Sequence, residues 1–160
     1  MDARRQRNWR AGDLFLVPQA DGGHTVAQVI THELMAMNSA LCAFTLRRAS
    51  PQDPVGPIRN DEVVSIQFVT VELLDSGEWP TAGNTRPVVP ASALDIERKR
   101  ATHFAGTSVC GSGVISSFLN ACFGLEAWDD WVDPQMLDKL LVDPAMKPAL
   151  VVYKNERPVN

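Results

Sequence analysis

From Val64 to Leu73 apolar and polar residues alternate, and the phase of that alternation changes once. Val64, Ile66 and Phe68 alternate with Ser65 and Gln67; Val69, Val71 and Leu73 alternate with Thr70 and Glu72. A strand turns successive side chains to opposite faces, so one straight strand would carry its apolar side outward after Phe68. A β-bulge or sharp bend reconciles the two halves, and such bends let a small sheet close on itself.

Other segments add strands around this one. Leu14 to Val17 is a short apolar run followed by Pro18 and the turn cluster Asp21-Gly22-Gly23, and Thr25 to Ile30 is rich in β-branched residues. The pair reads as a hairpin. A third strand fits Leu41 to Arg47, and the prolines of residues 50–57 withhold ladder donors and mark a loop. Residues 75–90 are turn-rich, with room for a short edge strand but no long helix.

Helical spacing comes late. Val114, Ile115, Phe118, Leu119 and Cys122 fall on one stripe of a helix that begins near Ser112 and ends near Gly124. Asp133-Pro134 has the form of a cap with proline at the first helical position, and Met136, Leu137, Leu140 and Leu141 share a face. Residues 149–153 then suit a closing strand. The expected fold is α+β: a small antiparallel β-barrel or strongly bent sheet, two helices in the C-terminal half, and a closing strand.

The 160 residues suit one domain, with residues 1–8 as a basic arm carrying Arg4, Arg5 and Arg7. A net charge of −4 gives no whole-molecule field that draws nucleic acid or an anionic membrane, and argues for a basic partner. No apolar run approaches the roughly 20 residues of a membrane span, and the start leads into no signal-peptide core, so a cytoplasmic location is expected. Cys42, Cys110 and Cys122 form neither a disulfide framework nor, with His24, His32 and His103, a zinc pattern; no metal and no cofactor is expected.

Three constellations suggest chemistry. Cys110 precedes a helix start and lies seven residues after His103, so a Cys/His nucleophile of a hydrolase or transferase is one reading, with Asp95 orienting the imidazole; a cysteine filling space is the other. Gly111-Ser112-Gly113 offers N–H groups to an anion, yet lacks the Gly-Lys-Ser/Thr of a phosphate loop. Trp79 and Phe68 would line the groove of an SH3-like module for peptides or other ligands. The basic arm with Trp9 resembles a nucleic-acid element, but the rest of the chain is acidic.

More informative is the run Trp128-Asp129-Asp130-Trp131-Val132-Asp133, preceded by Glu126. Tryptophan anchors many interfaces and acids steer basic partners. Trp128, Asp129, Asp130, Trp131 and Asp133, with Glu126 and Trp79, are therefore candidate contact residues. The competing reading packs the indoles inside and leaves the acids as caps; a division, with one indole buried and one available, lies between.

Trp9, Gly12, Asp13, Phe15 and Pro18, followed by Asp21-Gly22 and Ala27-Gln28-Val29, resemble the opening of the bacterial immunity protein 26 family, with Ala27 where the family has glycine. The resemblance covers about the first 30 residues. It implies a mostly β antitoxin of a polymorphic toxin system that sequesters a cognate toxin domain inside the producing cell and catalyses nothing; self-association stays open. The same residues also have structural uses: Gly12-Asp13 turning into a strand, Phe15 entering the core, Asp21-Gly22 closing the hairpin.

Overall fold

The computed structural model describes residues 8–156. Most of the expected basic arm, including Arg4, Arg5 and Arg7, lies outside the described residues. Leu14 to Val17 and Thr25 to Ile30 pair as expected: β1 (Asp13–Pro18) is antiparallel to β2 (His24–Glu33), with Pro18 opposite His24. β3 (Ser39–Arg48) and β4 (Val63–Val69) continue the antiparallel order. The turn-rich passage supplies the edge strand β5 (Thr81–Asn84) beside β1, and β6 (Val109–Cys110) runs parallel to β4 at the other edge. The sheet order is β5-β1-β2-β3-β4-β6.

This mixed sheet does not close, so the barrel expectation is corrected to an open α+β sheet. Both faces are covered, which removes the reason for closure. One core joins Phe15, Val29, Phe44, Val69 and Trp79 to Phe118 and Trp128; the other joins Leu14, Leu16, Ile30, Leu41 and Phe68 to Ile96 and Phe104. A strand buried on both sides has no outward apolar half to rescue. The irregularity of β4 lies elsewhere: Phe44 opposes Ser65 and Thr45 opposes Val63, leaving Val64 as the extra residue of a bulge.

After β4 the expected strand does not continue. Val71 and Leu73 belong to a turn and a short helix, α1 (Glu72–Ser76), ended by Gly77 at φ 82°. A second short helix, α2 (Ile96–Ala101), has no counterpart in the sequence reading. The predicted late helix is present as α3 (Ser112–Cys122), burying Ile115, Phe118, Leu119 and Cys122.

The second expected helix is replaced by a single 3-10 turn over Asp138–Leu140. Asp133 does cap, accepting the Gln135 N–H at 2.9 Å, and Leu137, Leu140 and Leu141 are buried. The segment between Pro134 and Pro144 is too short to form a stable helix by itself, and β4 competes for its backbone. The Ser65 hydroxyl donates to the Leu140 carbonyl at 2.6 Å, and the Val142 N–H donates to the Val64 carbonyl at 2.9 Å. The closing strand is likewise corrected: of residues 149–153 only Val152 bridges, to Ala127, outside the sheet.

Candidate functional site

The residues of the family-like opening are fixed within the fold. Trp9, 3% exposed, donates from Nε1 to Asp75 Oδ1 at 2.7 Å. Gly12 turns at φ 88°, and Asp13 accepts from the Arg10 N–H at 2.9 Å and from Asn84 Nδ2 at 2.9 Å. Phe15 stacks on Trp79 at 5.4 Å. Pro18 ends β1, while Asp21 accepts the Gly23 N–H at 3.0 Å and holds Arg48, with Gly22 at φ 87°. Gln28 stitches the β5 connection to this corner: its Nε2 donates to Thr85 Oγ1 at 2.9 Å and its Oε1 accepts the Val88 N–H at 2.8 Å.

The tryptophan–aspartate segment is placed differently from the expected contact surface. Trp79 is 1% exposed, between Phe15 and Phe44, and Trp128 is fully buried against Phe118 with Nε1 donating to Asp138 at 3.0 Å. Neither indole offers a face to a partner, so both are corrected from contact residues to core. Trp131 is half-buried, packed against the same core, and Val132 is exposed.

The acids already have partners. Glu126 accepts from Asn120 at 2.7 Å, Asp129 from the Lys154 N–H at 2.8 Å, Asp130 pairs with Lys154 Nζ at 3.3 Å, and Asp133 with Lys139 at 2.5 Å. The Lys139 hydrogen bond holds the Asp133 carboxyl below its ordinary range. Lysines after the acidic run thus neutralise much of it.

Cys110 and His103 are not brought together. Cys110 packs against the core on the Trp79 face, whereas His103 lines a cavity beside Phe104 on the opposite face. Among the described residues no hydrogen bond joins them, and Asp95 faces Arg98 at 3.6 Å. Burial pushes the Cys110 thiol up, away from thiolate. Phe68 and Trp79 likewise belong to opposite cores and share no groove. At Gly111-Ser112-Gly113 an internal carboxylate takes the place of an anion. Ser112 Oγ donates to Glu72 at 2.5 Å, a bond that holds the Glu72 carboxyl low, and Thr70 accepts the Ser112 N–H at 2.9 Å.

What the molecule does expose is the turn between β2 and β3. Leu34, Met35 and Met37 are 70%, 66% and 81% exposed, around a buried Ala36. Apolar side chains at a hairpin tip contribute little to folding, and Met37 and Asn38 also take left-handed backbone, φ 56° and 53°. The turn is held by the Asn38 N–H donating to the Leu34 carbonyl at 2.9 Å and by Asn38 Oδ1 lying 2.7 Å from His32 Nε2.

Beneath the tip is a cavity of about 500 Å3, walled by His32, Glu33, Leu34 and Met35 on one side and Arg100, His103 and Phe104 on the other. α2 forms the second wall because Ile96 anchors it in the core and Phe104 packs edge-on against Phe68 at 5.8 Å. The helix ends on two successive left-handed residues, His103 at φ 51° and Phe104 at 57°, where glycine is the usual choice. Two of the five left-handed non-glycine residues among those described, His103 and Phe104, thus line this concavity, and two more, Met37 and Asn38, lie in the turn whose Leu34 and Met35 wall it. Strain of this kind, about 1–3 kcal/mol per residue, clusters at functional sites.

One ion pair ties the two walls. Glu33, 8% exposed, receives Arg100 Nη2 at 2.5 Å and Nε at 3.2 Å, along with Thr31 Oγ1 at 3.1 Å. This site leaves little trace in the sequence. Its one readable signal is Leu34-Met35-Ala36-Met37 where a hairpin turn ordinarily carries glycine, asparagine or aspartate; the Glu33–Arg100 pair spans 67 positions and leaves no local trace. Among the described residues no group of acids, histidines and cysteines suits a metal ion, and no helix is long and apolar enough to cross a membrane. Comparison with protein families, with curated proteins and with solved structures finds no match to this chain.

Proposed function

We propose that this chain is an immunity protein of the kind its opening resembles, which binds a cognate bacterial toxin domain in the cytoplasm of the producing cell and neutralises it by covering its active surface. The observation that carries the reading is the exposed, strained Leu34–Asn38 tip above its cavity. Apolar side chains held in water, one of them, Met37, on costly backbone, make sense where a partner buries them. Methionine suits such a surface because its flexible thioether adapts to irregular contacts.

This reading puts the contact at the β2–β3 tip and away from the acidic run, whose charges are met by Lys139 and Lys154. The net charge of −4 still favours approach by a positively charged toxin, while the tip supplies the local grip. The test is co-expression with the toxin domain that this reading predicts in a neighbouring gene. Rescue of growth and a stable stoichiometric complex are expected; continued toxicity with no complex would overturn the reading.

A further inference from the structure

The cavity has an unspent binding capacity of definite chemistry. A guanidinium carries five N–H donors. Arg100 uses Nε and Nη2 on Glu33, and its Nη1 is 3.8 Å from Glu97, beyond hydrogen-bond reach. The remaining donors have no acceptor among the described residues, and the side chain is 47% exposed.

Glu33 is the sole acid of the lining, and its carboxylate is already committed to Arg100 and Thr31. A partner's cation would find no open carboxylate there. A partner's carboxylate would find charged donors, flanked by the rings of His32 and His103. Glu97, 90% exposed and outside the lining, is held only by solvent-screened attraction and gives way to a better-placed acceptor. Leu34, Met35 and Phe104 supply the apolar edge.

We propose that this cavity receives a carboxylate-bearing apolar segment of a protein partner, with the carboxylate on Arg100 and its neighbouring side chain against Leu34, Met35 and Phe104. The inference rests on the binding role above and names the chemistry of the contact.

The experiment titrates the whole chain with N-acetyl-Leu-Glu-Phe-Leu-amide and with its Gln and Lys counterparts, followed by 1H–15N shifts. The Glu peptide is expected to move the amides of residues 32–38 and 98–104 and to bind at least about fivefold more tightly than the others, since charge-assisted pairs are about twice as strong as neutral ones. The double variant Glu33→Gln/Arg100→Gln, which leaves neither charge buried alone, should abolish that preference. Arg100→Lys, which keeps the charge but loses the planar fork, should weaken it. Equal binding of the three peptides, a preference for Lys, or shifts confined to other residues would overturn the proposal. The toxin separates the two claims: failure of the unaltered chain to bind it removes the immunity role and leaves the peptide result standing. Toxin binding that the double variant does not weaken removes the carboxylate contact and leaves the role.

Discussion

Replacing Met37 with Asn should hold or raise stability while weakening the partner complex. The side chain is 81% exposed, so only about one fifth of its surface is removed from water on folding. Full burial of a methionine contributes about 1.5–3 kcal/mol, and one fifth of that is about 0.3–0.6 kcal/mol lost on substitution. Against this, Met37 sits at φ 56°, a region that costs an L-residue about 1–2 kcal/mol and that asparagine occupies far more readily. Recovering about 1 kcal/mol of that strain leaves a net gain of about 0.4–0.7 kcal/mol. Urea denaturation monitored by tryptophan fluorescence reads the stability, and titration with the toxin domain that the proposed function predicts reads the binding. A loss above about 1.5 kcal/mol would show that Met37 is structural, and an unaltered affinity would show that it touches no partner.

Three further outcomes follow from particular contacts. Gly12→Ala should cost about 2–4 kcal/mol in thermal or urea melts, because Gly12 has φ 88° and a Cβ there would lie 2.6 Å from the Thr85 carbonyl oxygen; a cost under about 1 kcal/mol would mean that the corner yields. Glu62, hydrogen-bonded by Arg47, has its carboxyl lowered from 4.5 to about 2, so its contribution is complete above pH 4.5 and disappears as pH falls through 2. The full shift corresponds to about 3 kcal/mol; with Arg47 29% exposed, solvent screening leaves about 1–2 kcal/mol, and Glu62→Gln should flatten the acid limb of the stability curve by that amount. Iodoacetamide at neutral pH should modify Cys110 more slowly than a free thiol, since burial raises all three thiols, Cys122 to about 12; a rate above that of free thiol would restore the nucleophile reading.

The hairpin, β3, the proline-rich loop and α3 are legible in the sequence because each rests on local periodicity or turn chemistry within a dozen residues. Long-range competition decides the rest. Residues 136–141 have the right face for a helix, and Leu137 and Leu140 are indeed buried, but Ser65 takes the Leu140 carbonyl from 75 positions away and the helix does not form. The phase slip at Phe68-Val69 reads as a bend only if one face of the strand is wet; coverage by α2 and residues 88–104 on one side and by α3 on the other removes that assumption. Tryptophans flanked by acids look like surface anchors, yet Trp128 buries its ring and spends one of the acids, Asp138, on its indole N–H. The tip escapes notice for the converse reason: Leu34, Met35 and Met37 are apolar residues between two strands, and only the three-dimensional turn shows them in water.

The most direct measurement is calorimetric titration of the toxin domain that the proposed function predicts in a neighbouring gene, with the unaltered chain and with Leu34→Ser/Met35→Ser/Met37→Asn. Acting by contact through the tip, the unaltered chain should form a one-to-one complex, and the triple variant should bind at least about 30-fold more weakly while melting at nearly the same temperature, since hot-spot side chains each contribute about 1 kcal/mol or more. Equal affinity of the two chains, with both folded, would contradict the account.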